Sequence, residues 1–217
     1  MTLRLGIMGW GTIGEGVGRR IADGIIPDVT LAAILRQQKI DPAANLPAPV
    51  TQDMDAFVGQ DLDLVLEATG GDALRLLGPQ ILDRGIPLVV MSAAALGDDD
   101  FRHDLTKRAR RAKTKIYVSA GALAGVDALS AARFGNLENV RIIQRKPPTA
   151  LMDAAEAAKL DAPRTISTAT AREVGRQFPK NANIAVSAAL AACACASAAA
   201  RCCAPGSQPS SRPRGER

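Results

Sequence analysis

The segment Leu3-Arg-Leu-Gly-Ile-Met-Gly-Trp-Gly-Thr-Ile-Gly14 constrains this chain more than any other, because an apolar run from Leu3 to Met8 leads into Gly9, Gly11 and Gly14 in GxGxxG spacing. It reads as a strand, a tight turn and a helix start. The first glycine permits the turn, the second lets a pyrophosphate approach the backbone, and the third lets helix and strand pack closely. Orphan N–H groups of the first helical turn then face the phosphates, where the helix dipole also favours negative charge. GxGxxG spacing also fits a plain glycine turn; its place at the end of the first strand favours a dinucleotide site. Gly9, Gly11, Thr12, Ile13 and Gly14 are the candidate cofactor-binding residues.

Downstream, apolar runs and helical periodicities alternate. Ile13, Val17, Ile21 and Ile25 recur at four-residue spacing, which predicts a helix with that face on a sheet, ended by Pro27. Val29 to Leu35 reads as a second buried strand. Arg36 follows it, where an acid usually holds the adenosine ribose and a basic residue accommodates a 2′-phosphate. Arg36 is therefore either an NADP-selecting residue or a solvated loop arginine. After a loop from Gln37 to Val50 come a short helix (Asp53 to Val58), a strand from Leu62 to Ala68 ending at Glu67, and a Thr69-Gly70-Gly71 turn. A helix through Leu74, Leu77, Ile81 and Leu82 closes at Gly85, a strand runs from Ile86 to Met91, and Ser92 to Leu96 follows it. Asp98 to Asp100 open a helix from Phe101 to Lys113 with a basic end, the polarity a helix dipole prefers. His103, the single histidine, lies on it and reads as a surface residue.

This rhythm predicts an α/β, Rossmann-type doubly wound parallel sheet, with Thr69 to Gly71 and Ser92 to Leu96 lining the same crevice as the glycine turn. Beyond a strand at Ile116 to Ser119, the turn Gly121 to Gly125 and a helix from Val126 to Arg133, the pattern changes. Val140 to Gln144 and Thr165 to Thr170 read as half-exposed antiparallel strands, followed by helices at Ala171 to Phe178 and after Pro179 to Asn183. The expected organisation is a dinucleotide-binding domain over residues 1–120, a smaller, shortened α+β domain over 121–192, and a disordered tail over 193–217.

Composition narrows the partners. Aromatic residues are only 3% of the chain, too few for base-stacking nucleic-acid modules. Most of the formal +5 charge comes from Arg201, Arg212, Arg214 and Arg217 against Glu216, so the body offers no general polyanion surface. No nucleic acid and no membrane are expected as partners; the run from Ile184 to Ala200 is too weakly apolar for a span. The first cysteine is Cys193, and Met1 leads directly into the first strand, which together suggest a cytoplasmic protein. Cys193, Cys195, Cys202 and Cys203 lie closer together than tetrahedral metal pairs usually do, and no metal is expected.

Three later segments resemble the L-aspartate dehydrogenase family: Ser119-Ala-Gly-Ala-Leu-Ala-Gly-Val-Asp-Ala-Leu129, Arg145-Lys-Pro-Pro148, and Ala171-Arg-Glu-Val-Gly-Arg-Gln-Phe-Pro-Lys-Asn-Ala-Asn183. The likeness covers about residues 1 to 192. It implies NAD- or NADP-dependent oxidation of L-aspartate to iminoaspartate, a feed into nicotinamide coenzyme synthesis, and a homodimer. By motif, Ala122 and Asn183 would contact the cofactor, although Asn183 equally fits a helix cap. Arg145, Lys146 and Lys180 are candidate cations for the two substrate carboxylates, with solvated strand or helix ends as the plain reading. Ser92 to Leu96 matches the family's Ser-Val-Gly-Ala-Leu, with Ala94 in place of the usual glycine.

After Ala192 the resemblance stops. The family's Asn-x-x-His segment, whose histidine is its acid/base, has no counterpart, and His103 does not match it; no catalytic residue is assigned. A catalytically impaired nucleotide-binding remnant is the alternative reading. A semialdehyde substrate would require a thiol that the body lacks. Arg36→Asp is expected to lower the ratio of NADP to NAD affinity about tenfold by removing a charge-assisted phosphate contact, as measured by coenzyme titration.

Overall fold

The computed structural model describes residues 2–38 and 45–193. Its centre is a six-stranded, wholly parallel sheet in the order β3-β2-β1-β4-β5-β6. The strands are β1 (Leu3–Met8), β2 (Val29–Leu35), β3 (Val50–Thr51), β4 (Leu64–Glu67), β5 (Leu88–Val90) and β6 (Ile116–Val118). From β1 the chain builds outward to β2 and β3, then crosses back to add β4, β5 and β6 on the other side. The order therefore reverses at β1, and a crevice opens beyond the C-terminal ends of β1 and β4.

Because both faces are covered, the strands are nearly continuous apolar runs. Ile7, Ile34 and Leu66 point to one face with Ile21 of α1 (Thr12–Ala22). Met8, Leu35, Val65 and Val90 point to the other, against Phe57 of α2 (Met54–Val58), Leu74, Leu77, Ile81 and Leu82 of α3 (Gly71–Asp83), and Leu105 of α4 (Asp99–Arg111). The basic end of α4 is drawn into ion pairs. Arg108 meets Asp83 at 2.5 Å and Asp104 at 2.8 Å, and Arg111 meets Asp83 at 2.7 Å, tying α4 to the end of α3.

The contact stripe of α1 differs from the expected one. Gly14, Gly18 and Ile21 are buried, whereas Ile13 is 48% exposed and Ile25, past the helix end, is 64% exposed. Glycines let the helix lie so close to the sheet that a Cβ on Gly18 would come within 2.4 Å of the Trp10 ring. The helix stops at Ala22, capped by Asp23, with Gly24 at φ 71° beyond it, so Pro27 plays no part in ending it. Val50, expected as the last residue of a loop, instead joins Thr51 in the edge strand β3.

Past β6 the described residues form helices: α5 (Val126–Ala132), α6 (Ala154–Ala157), α7 (Ala171–Gln177) and α8 (Asn183–Cys193). The expected strands Val140 to Gln144 and Thr165 to Thr170 carry no ladder; their β-branched composition fits a strand, but no described segment pairs with them. Thr170 serves instead as the N-cap of α7, in a capping box with Glu173. Helices α7 and α8 pack on the 3-10 turn Ala93–Gly97 that follows β5. Apart from Cys193 at the end of α8, the expected tail lies outside the described residues. Among the described residues no helix is long and apolar enough to cross a membrane.

Asp98 caps α4, accepting from the Phe101 N–H at 3.2 Å and from Arg75 at 3.1 Å. The Phe101 amide, and after it the Arg75 guanidinium, hold the Asp98 carboxyl below its ordinary value. A lowered folded value means this cap stabilises the protein above the ordinary carboxylate range and is lost as pH falls through the lowered value. Asp98→Ala is expected to cost about 1 kcal/mol near neutral pH, and the gap from wild type should close in acid, as read by denaturant unfolding across pH.

Candidate functional site

The turn after β1 is built by backbone contact. Gly9 adopts φ 98°, and its N–H donates to Leu35 O at 2.8 Å, holding the turn to β2. A Cβ on Gly14 would lie 2.0 Å from Gly9 O, so the helix start can sit against the turn only as glycine. Gly11 differs: beyond its own stretch of chain, nothing lies within 4 Å of the place where its Cβ would stand. That space is an open cradle in front of α1, whose first intrahelical bond runs from the Glu15 N–H to Gly11 O. The N–H groups of Thr12, Ile13 and Gly14 precede that bond and are left for an anion. Thr12 and Ile13 are exposed at the rim, and the cradle fits a dinucleotide pyrophosphate.

On one side of the cradle, Arg36 follows β2; its N–H donates to Thr51 O at 3.0 Å and its guanidinium to Gln38 Oε1 at 3.2 Å. On the other side lies a residue that the motif analysis did not assign. The Glu67 carboxylate, 0% exposed, accepts from the backbone N–H groups of Thr69 (2.8 Å), Gly70 (3.1 Å), Met91 (3.2 Å) and Ser92 (3.0 Å). The hydroxyls of Thr69 and Ser92 donate to it as well, each at 2.8 Å. Its signal in the sequence is a charge at the end of an apolar strand; the partners from β5, about two dozen residues away, have none.

The turn after β5 is joined to the C-terminal helices. Asn183 Oδ1 accepts from the Ala94 N–H at 2.9 Å, and the Ser187 hydroxyl donates to Ser119 O at 3.2 Å. Asn183 therefore holds the crevice turn to α8. Beyond β6, Ala122, Arg145 and Lys146 share the wall of a cavity of about 370 Å³ with Arg141, Gln144 and Ile184, the neighbour of Asn183. The buried Gln144 Oε1 has no hydrogen-bond partner among the described residues. Lys180, exposed on the turn before α8, does not line that cavity, and His103 is exposed on α4. A second cavity, of about 460 Å³, lies between Leu151, Leu160 and Phe178 and holds none of the expected site residues.

Known proteins match the chain in two segments. The family model for the homoserine dehydrogenase NAD-binding domain matches residues 9–119, and that for the aspartate dehydrogenase C-terminal region matches residues 127–204. The chain is 33% identical to the L-aspartate dehydrogenase of Methanothermobacter thermautotrophicus over 192 residues, covering 87% of this chain and 72% of that one. It is 36% identical to the L-aspartate dehydrogenase of Ralstonia pickettii over 201 residues, covering 87% and 74%. The crystal structure of aspartate dehydrogenase from Thermotoga maritima superposes with a TM-score of 0.67 at 21% identity, covering 88% of this chain and 74% of that one.

The two glycines of the cradle should separate on mutation. Gly11→Val is expected to leave the melting temperature nearly unchanged while NADH affinity falls about tenfold or more, because its side chain fills the cradle and touches nothing else. Gly14→Ala should lower both, since its methyl group meets the Gly9 carbonyl. Thermal melts and NADH fluorescence titration of the two variants read the difference.

Proposed function

This chain belongs to the L-aspartate dehydrogenase family, and on that premise we propose that it oxidises L-aspartate to iminoaspartate with NAD or NADP, a product that feeds nicotinamide coenzyme synthesis. The reading rests on one juxtaposition above all: cations at Arg145 and Lys146 share a cavity with Ala122, which follows the C-terminal end of β6 as the glycine cradle follows that of β1 in the same parallel sheet. We assign residues 1–120 to coenzyme binding and residues 121–192 to the substrate side, a division supported by the end of the parallel sheet at β6 and the helices that follow it.

When bound, the coenzyme supplies a hydride acceptor for the substrate Cα. The chain's own residues hold and orient. Gly9, Gly11 and Gly14 leave room for the pyrophosphate, the N–H groups of Thr12, Ile13 and Gly14 meet it, and the Ile13 side chain covers it. Arg36 takes the 2′-phosphate when NADP is used. Ala122 lies on the wall between coenzyme and substrate, and Asn183 keeps the Ala94 turn in place beside the coenzyme. Arg145 and Lys146 pair with the substrate carboxylates.

Phe134 at 78% exposure and Ile143 at 77% support a homodimer that would cover them. The body's lack of cysteine up to Ala192 supports a cytoplasmic setting.

The purified chain should form reduced coenzyme with L-aspartate, followed by absorbance. Lys146→Ala is expected to raise KM for aspartate about tenfold through loss of a charge-assisted bond, with coenzyme affinity unchanged. Intact coenzyme binding without turnover of L-aspartate would overturn the dehydrogenase reading and leave a nucleotide-binding protein.

A further inference from the structure

The residues that end the central strands form a row beneath the crevice: Leu35 pairs with Met8, Met8 with Glu67, and Glu67 with Val90. Three of the four are apolar, as a strand end covered on both faces requires. Glu67 alone is charged, and it is fully buried. Packing gains nothing from a carboxylate at this place, since burying one is unfavourable unless hydrogen bonds replace its water. Here the replacement is complete. Both oxygens accept backbone N–H donors, and every donor comes from one of two turns, Thr69–Gly70 after β4 and Met91–Ser92 after β5.

Those turns are not equivalent to the rest of the surface. The first abuts the glycine turn, since a Cβ on Gly9 would meet Ala68 O at 2.6 Å and Thr69 Cγ2 at 2.7 Å. The second continues into Ala94, whose N–H is held by Asn183. With the adenosine half of a dinucleotide lying over β2 beside Arg36, the opposite half lies over β4 and β5, where these turns form the floor.

We propose that Glu67 is the positioning residue for the nicotinamide half of the coenzyme. Its carboxylate joins the turns after β4 and β5 into one rigid floor, and it acts through Thr69, Gly70, Met91 and Ser92 without touching the ligand. The proposal rests on the coenzyme reading above and goes beyond the glycine cradle, which concerns the pyrophosphate alone.

The test compares two probes on the full chain by titration calorimetry: NADH, and ADP-ribose, which lacks the nicotinamide. Glu67→Gln keeps the shape but replaces an acceptor by an NH2 group facing N–H donors. It is expected to weaken NADH about tenfold while ADP-ribose changes less than about twofold. Ser92→Ala removes a single donor and should shift the same ratio in the same direction by a smaller amount. Equal loss of both probes in Glu67→Gln means a general scaffold role and overturns the proposal, as does an unchanged ratio. Should Glu67→Gln fail to fold, an unchanged ratio in Ser92→Ala overturns it equally. Wild-type protein that binds neither probe overturns the coenzyme reading itself, a result distinct from either.

Discussion

Helix α1 can approach the end of β1 only because Gly14 lacks a side chain, the carbonyl of Gly9 occupying the place where a methyl group would go. From that contact follow the direction of the helix, the exposure of its first N–H groups, and the position of the crevice. Gly18 repeats the device one turn later against Trp10, so the helix lies close to the sheet along its length. Ile13 is turned outward as a result, onto the rim of the cradle. An apolar side chain left at 48% exposure beside an anion site is a feature of the site's shape and no defect of packing.

On the other side of β1 the constraint is electrostatic. A buried carboxylate is tolerable at the end of β4 because two turns converge their donors on it, and the turns stay together because the carboxylate requires them. Helix α8 adds a third tie through Asn183. The crevice thus has a steric half, set by glycines over β1, and a polar half, set by Glu67 and Asn183 over β4 and β5. A dinucleotide laid across the reversal of strand order spans both.

Much of this was legible in the residues. Leu3–Met8 and Val29–Leu35 stand out because parallel strands buried on both faces are nearly continuous apolar runs, broken here only by Arg4 and Thr30 near their exposed starts, and the glycine spacing states its own geometry. The stripe Ile13, Val17, Ile21, Ile25 misleads because hydrophobic periodicity counts side chains, while this helix packs through glycines that have none. Val140 to Gln144 has strand-like residues, yet a strand needs a partner, and pairing is not encoded locally. Glu67 was visible as a charge ending an apolar run. That its oxygens would meet Met91 and Ser92 depends on β5 lying next to β4, which topology decides. Arg145 and Lys146, neighbours in one motif, line one cavity together, whereas Lys180, equally basic but drawn from another segment, stands apart from it, and only the fold decides which of them meet.

The bond from Ala94 to Asn183 joins residues 89 positions apart, and α8 also buries Val186, whose side chain lies 3.4 Å from the place a Cβ on Gly97 would take. The shape of the turn after β5 is therefore set by a distant helix as well as by the strand that leads into it. Removing that helix would free the Ala94 amide while leaving the Gly9 to Leu35 bond and all six strand pairings in place, so one end of the crevice is as firm as the sheet and the other only as firm as the helix that holds it.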